Sequence, residues 1–166
     1  MVLKAEDGKA QGRRWDFDPE AAFAALGWIG IGFLAVGGVD FLLAWYPTAF
    51  GSREWQFAVA TQSFSSLPVP TLGLGMLLLG SAQTGRRWWA YLAAGVALVV
   101  GLVVLIGVVL WAMNIPLALS QVPDQVATGM YRSILRTAVQ ALVYPALLTY
   151  LGWAGLRIGR SIDPDS

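Results

Sequence analysis

Four long apolar segments, separated by shorter polar stretches, make up most of the chain. The longest of them, from Trp88 to Met113, contains no charged side chain. At 1.5 Å per residue a helix of this length measures roughly 39 Å, which exceeds the bilayer hydrocarbon core of about 30 Å. An apolar run of this length is typical of a transmembrane helix rather than of a helix in a soluble core.

The apolar pattern predicts an all-α fold, an integral membrane four-helix bundle. The four predicted spans lie at about residues 22–46, 67–84, 88–113 and 130–157. They form a transmembrane domain over residues 21–158, between a polar N-terminal tail (1–20) and a short C-terminal tail (159–166). Asp18 followed by Pro19 predicts the N-cap and the first residue of the first helix.

The two connections on the predicted outer side are longer than the tight turn on the other side. In the first outer loop we interpret Ser52–Ser66 as an interfacial amphipathic helix, with Ser52 as its N-cap and Pro68 opening the membrane helix. The alternative is one continuous kinked helix through both segments. The second connection, residues 114–129, contains prolines among apolar residues and predicts a loop or a short helix on the membrane surface.

Small residues are frequent in the spans and predict close helix packing. In the fourth span Gly152, Gly155 and Gly159 share one face, and only the last two have GxxxG spacing. Because glycine lets two backbones approach closely, this face is expected to pack within the bundle or against a partner.

Basic residues predict the orientation of the chain. The two tails and the turn near residue 85 hold eight Lys or Arg residues, and the opposite side holds three. By the positive-inside rule we expect a multi-pass protein of a bacterial inner (or intracytoplasmic) membrane with both termini in the cytoplasm. Tryptophan rings prefer the headgroup region. The predicted interfacial anchors are Trp45, Trp55 and Trp111 on the outer side and Trp88, Trp89 and Trp153 on the inner side.

Composition excludes several kinds of chemistry. Charged residues are only 13% of the chain, against about 25% in soluble domains, and the net charge of +1 gives no support for nucleic-acid binding. The chain has no cysteine and no histidine, so thiolate and imidazole ligands are excluded, as is the side chain that titrates most readily near neutral pH. We predict no enzymatic activity, no catalytic or metal site and no cofactor of its own; lipid or pigment contacts would come through partners.

One acidic residue, Asp40, lies within a predicted span. In the fourth span Arg132, Arg136, Gln140 and Tyr144 recur every four residues and form a polar ridge. Arginine facing lipid is costly, so we expect this ridge to point into the bundle. We hypothesise an Asp40–Arg136 ion pair that clamps the first span to the fourth. The alternative interpretation of the cluster is a proton or ion path.

The most individual stretch of the chain is Arg53-Glu54-Trp55 followed by Ser66–Leu74. This order resembles the HpsJ-like family of small bacterial, largely cyanobacterial, membrane proteins. In that family an acidic–Trp pair precedes a helix start of the Val-Pro-Leu-Leu-Gly-Leu type. The similarity covers residues 50–80, with Thr71 where the family pattern has an apolar residue. The resemblance implies a role in polysaccharide secretion and gliding, and no catalytic residues.

Together these features predict a non-catalytic accessory subunit of a larger bacterial inner-membrane complex, photosynthetic or respiratory, which it stabilises by helix packing. The expected partners are membrane lipids and other integral membrane subunits, and not nucleic acid. Two alternatives stay open. One is an envelope factor in polysaccharide export, as the resemblance implies, and the other is a small transporter or channel lined by Asp40, Arg136 and Gln140.

Overall fold

The computed structural model describes residues 18–46, 48, 52–120 and 127–162. Within these ranges it contains five α-helices and no strand: α1 (Pro19–Ala44), α2 (Arg53–Ser66), α3 (Pro68–Thr84), α4 (Arg87–Ser120) and α5 (Ala127–Ser161). The all-α prediction is therefore confirmed. Residues 1–17 of the predicted N-terminal tail and residues 163–166 of the C-terminal tail lie outside the described part.

Four helical stretches of the described chain are long and apolar enough to cross a membrane. They are Pro19–Ala44, Trp55–Thr84, Arg87–Pro116 and Thr128–Ser161. The number and order of the spans agree with the prediction. The second stretch runs through both α2 and α3, so the two helices together have the length of one span.

Both predicted helix starts have the expected caps. The Asp18 carboxylate accepts a hydrogen bond from the backbone N–H of Glu20 at 3.0 Å, and Pro19 occupies the first turn. At the start of α2 the Ser52 hydroxyl accepts from the backbone N–H of Trp55 at 3.2 Å. Each cap satisfies a backbone donor that has no partner inside the helix.

The junction of α2 and α3 is a kink rather than a loop. Leu67, the one residue between them, has helical dihedrals (φ −61°, ψ −28°), and its carbonyl accepts from the N–H of Thr71 at 3.0 Å. Pro68 and Pro70 have no N–H, so they cannot donate the bonds that would continue the helical ladder back into α2. The backbone therefore stays helical through Leu67, although some backbone hydrogen bonds between α2 and α3 are missing.

Contacts with α4 show the direction of α2. The Asn114 side-chain amide donates to Gln56 Oε1 at 3.3 Å. About two helical turns further along α2, Phe64 lies against Gly107 of α4. As residue numbers rise along α2 they fall by nearly the same amount along α4, so the two helices run antiparallel side by side. α2 is a helix, as expected, but it runs along α4, which agrees with the kinked-helix alternative rather than with a helix lying flat at the outer interface.

Glycines bring α1 and α3 into close contact. A Cβ placed on Gly30 would lie 2.7 Å from the carbonyl oxygen of Gly73, and one on Gly80 would lie 2.9 Å from the carbonyl oxygen of Phe23. Further along, Gly37 lies against the ring of Pro70, where a Cβ would come within 2.6 Å. At Gly30 and Gly80 no larger side chain fits without moving the backbone of the neighbouring helix, and at Gly37 one would move the Pro70 ring.

The α4–α5 pair is packed in the same way. Gly152, Gly155 and Gly159 face α4, where a Cβ on Gly155 would lie 2.9 Å from the carbonyl oxygen of Ala90. The glycine face of the fourth span therefore packs within the bundle, one of the two predicted possibilities. Opposite these glycines α4 presents the fully buried Ala90 and Ala94, and Ala93 and Ala97 of α4 are fully buried as well.

The connections agree with the prediction at one end and differ at the other. The tight turn between α3 and α4 contains Gly85 with φ of 67°, a left-handed conformation that glycine adopts without strain. On the other side α4 continues through Pro116 to Ser120, well past its predicted end, because a proline near a helix end removes only one backbone bond. Residues 121–126 of the second connection lie outside the described part.

The helix pairs define two ends of the bundle. α1 begins, α3 ends, α4 begins and α5 ends at the same end, which we call the basic end because Arg86, Arg87, Arg157 and Arg160 lie there. The start of α1 and the end of α5 are therefore on one side. α3 and α4 pack together in the middle, α1 packs on α3, and α5 packs on α4.

Replacing Gly30 by alanine should destabilise the bundle by about 1–3 kcal/mol, because the added methyl group would overlap the Gly73 carbonyl. The free energy of unfolding in mixed detergent micelles measures this effect. Gly75→Ala is the matched control, since no atom lies within 4 Å of a Cβ there. Equal stability of the two variants would contradict the close packing of α1 on α3.

Candidate functional site

The predicted polar cluster is divided between two helices that are not neighbours. Asp40 lies on α1 and is exposed, and Arg136 lies on α5 and is exposed. Within the described part of the chain, α1 packs mainly on α3 and makes no substantial contact with α5. The hypothesised Asp40–Arg136 ion pair is therefore not formed, because α3 and α4 lie between the two helices.

The register of the helices also separates the two charges. Phe41, next to Asp40, lines the same cavity as Val103, which is at the middle of α4. On the other side of α4, Gly101 faces Leu148 of α5, with 3.5 Å between a Cβ on the glycine and the leucine Cβ. Arg136 is therefore about ten residues nearer the opposite end than Asp40, or roughly 15 Å along the helix axis.

The arginine ridge of α5 belongs to a polar layer at the end opposite the basic end. Arg132 and Arg136 are exposed, and Gln140 is half-buried, so the prediction that this ridge points into the bundle is wrong for the arginines. Counting outward from the Gly101–Leu148 contact, Arg136 is level with Asn114, whose side chain bonds to Gln56. At that level the arginines can face water or headgroups, so the cost assumed for lipid-facing arginine does not arise.

Asp40 belongs to an outward face of α1. We call it the outward face of α1. Its residues are all exposed and follow one another at helical spacing: Ala25, Ile29, Gly32, Val36, Val39, Asp40 and Leu43. Asp40 has no hydrogen bond or ion pair with any other described residue. No atom lies within 4 Å of a Cβ built on Gly32. The face therefore combines one carboxylate with a glycine that internal packing does not require.

Four of the six predicted tryptophan anchors are at least partly accessible. Trp88 and Trp153 are exposed near the basic end, and the Arg157 guanidinium lies 5.3 Å from the centroid of the Trp153 ring. Trp45 and Trp55 are half-buried and pack edge to face, with their ring centroids 5.9 Å apart. Their positions at the two ends of the bundle are compatible with anchoring.

The other two tryptophans are core residues. Trp89 is 0% exposed, packs on Gly27 and lies edge to face with Trp28 at 5.9 Å; Trp111 is buried as well. A ring enclosed by helices cannot insert into headgroups, so these two act in packing. The sequence signal for the burial of Trp89 is its spacing from Ala93 and Ala97, which places all three on one helical face.

No family model, no curated protein and no solved structure matches this chain. The resemblance to the HpsJ-like family over residues 50–80 stays a prediction. Among the described residues no three His, Cys, Asp or Glu side chains come together as a metal site. The candidate functional site is thus the outward face of α1, identified by the exposed Asp40 carboxylate and by Gly32, around which no atom lies within 4 Å of a Cβ.

Proposed function

We propose that this chain is a non-catalytic accessory subunit of a larger membrane complex, and that it docks through the outward face of α1. The observation that carries the proposal is the exposed carboxylate of Asp40, which lies four residues before the end of α1 and pairs with no other described residue. An ionisable side chain within a membrane span is unfavourable where it faces lipid. Such residues usually face other protein and pair there, and among the described residues of this bundle Asp40 has no partner.

The small residues of the same face support a helix as the partner. Glycine and alanine on a membrane helix let another helix approach closely, and packing is the main attraction between helices in lipid. Gly32 and Ala25 lie on this face, and a Cβ at Gly32 would meet nothing within the chain. The proposed partner is therefore a transmembrane helix of another subunit that presents Lys, Arg or a hydrogen-bond donor to Asp40.

The proposed location is a bacterial inner membrane, with the basic end in the cytoplasm. The arginines near the turn and near the end of α5 are together at this end, and the described start of α1 is there as well. The cytoplasmic ends of membrane helices carry an excess of Lys and Arg. Both termini are therefore proposed to be cytoplasmic.

Photocrosslinking tests the docking face. A photoreactive amino acid in place of Val36 should crosslink to a different integral membrane protein in native membranes, and one in place of Leu142, exposed on α5, should not. Adding Gly32→Leu should lower the yield about fivefold or more, because overpacking a close contact costs about 1–3 kcal/mol. The crosslinked partner, identified by mass spectrometry, should carry a basic or donor residue in the crosslinked span.

The matched control is Gly95→Leu, the same substitution at an exposed glycine of α4 that also has no atom within 4 Å of a Cβ. It should leave the yield unchanged, and both variants should keep the thermal stability of the wild type. Crosslinks to lipid alone, crosslinks only between copies of this chain, or equal losses in both variants would each overturn the proposal.

Thiol labelling tests the orientation, since the chain has no cysteine of its own. In spheroplasts a membrane-impermeant maleimide should label Thr48→Cys, which lies beyond the end of α1, and should not label Ser161→Cys until the membrane is permeabilised. Both positions are exposed, so accessibility depends on the side of the membrane. Labelling of Ser161→Cys alone would show the opposite orientation.

A further inference from the structure

Two cavities lie where α1 separates from α4. The first, of about 300 Å³, is lined by Phe41 of α1 and its C-cap Trp45, by Ser63 and Phe64 of α2, and by α4. The second, of about 210 Å³, is lined by Leu67 and Pro70 at the α2–α3 kink. Both are lined by Phe41 and Val103, so they lie next to each other, and we refer to the two together as the groove.

The groove opens sideways, out of the bundle. Ile106 lines the first cavity and is 53% exposed, and Val99 lines the second and is 64% exposed. Both residues belong to α4, on the side that faces away from the helix core. In a membrane this opening faces the acyl chains, so a molecule dissolved in lipid can enter without crossing the polar layer.

Two polar atoms at the first cavity lack partners. The Ser63 hydroxyl and the indole N–H of Trp45 are both buried, and neither makes a hydrogen bond within the described chain. The Ser63 residue is only 9% exposed. A buried polar group without a partner is unfavourable, and a bound molecule with an acceptor oxygen would supply the missing hydrogen bond.

Ser63 differs in this respect from every other hydroxyl residue of α2. Thr61 donates to the carbonyl of Phe57 at 2.9 Å, Ser65 to that of Thr61 at 3.2 Å, and Ser66 to that of Ser63 at 2.9 Å. Such bonds to the preceding turn are the usual outcome for hydroxyl side chains in helices. The Ser63 hydroxyl alone makes no such bond, and Ser63 is the one of these four residues that lines the larger cavity.

The chemistry of the walls restricts the ligand. No charged side chain lines either cavity among the described residues, and the walls are otherwise mostly aliphatic or aromatic. An anionic or cationic head would therefore be desolvated without compensation. Two adjoining apolar cavities suit a chain, and the two donors of the first cavity suit carbonyl oxygens.

We propose that this groove binds a neutral, elongated lipid-soluble molecule whose carbonyl oxygens accept hydrogen bonds from Ser63 and Trp45. Its apolar chain lies along Phe41 toward Pro70, at the kink. Two sources supply this chemistry in a membrane: a quinone with an isoprenoid or alkyl tail, and an uncharged acylglycerol. The site is separate from the docking face of α1, and the inference does not rest on the proposed function.

Ligand-induced thermal stabilisation of the full chain in phosphatidylcholine nanodiscs tests the proposal. The probes are decylubiquinone and 1,2-dioctanoylglycerol, with decanoate as the anionic comparison. At least one neutral probe should raise Tm saturably, because a ligand that binds only the folded state stabilises it, and decanoate should not. Saturation by one neutral probe alone identifies the source.

Three variants separate binding in the groove from partition into lipid. Ser63→Ala should weaken the apparent affinity of that probe about threefold to tenfold, the worth of one hydrogen bond, and Ser65→Ala, whose hydroxyl is bonded elsewhere, should not. Ala60→Leu, which fills the first cavity, should abolish the shift while its ligand-free Tm reports folding. No saturable shift with either neutral probe, an equal shift with decanoate, or unchanged binding by Ala60→Leu would overturn the proposal.

Discussion

The antiparallel contact between α4 and the kinked α2–α3 helix is the constraint on which the rest of the structure depends. It runs from the tight turn at Gly85 to the Gln56–Asn114 hydrogen bond at the other end. A helix in lipid must satisfy its own backbone groups, so the interruption at Pro68 and Pro70 is tolerated only where neighbouring helices cover it. Here α1 covers one side, with Gly37 on the Pro70 ring. α5 packs against the other side of α4.

Both candidate sites follow from this arrangement. Because α3 and α4 occupy the middle, α1 and α5 are held apart, and the carboxylate of Asp40 faces outward instead of meeting Arg136. Close glycine contact holds α1 on α3 as far as Gly37. Beyond that point large side chains such as Phe41 and Phe64 separate the helices and leave the groove. One packing pattern therefore produces a surface suited to a helix and a cavity suited to a chain-like ligand.

Local features were predictable from the sequence, and the relations between helices were not. The caps at Asp18 and Ser52, the tight turn and the four apolar spans are local features. Residue type and spacing along the chain are therefore sufficient to predict them. The polarity of α2 was misread as a sign of an interface, because the sequence does not reveal that three of its hydroxyls bond to their own helix. Likewise the four-residue period of Arg132, Arg136 and Gln140 indicates that they share a helix face. It does not indicate which helix packs against that face or how far along the bundle the face lies.

Crosslinking of α2 to α4 in native membranes tests the central structural claim most directly. The chain has no cysteine, so Gln56→Cys combined with Asn114→Cys gives a single reactive pair. If α2 continues α3 along α4, a short bifunctional thiol reagent should join this pair efficiently, because the two native side chains are hydrogen-bonded. The control pair Gln62→Cys with Asn114→Cys, in which position 62 is exposed, should react poorly. Equal reaction of the two pairs, or none from the first, would contradict the antiparallel arrangement.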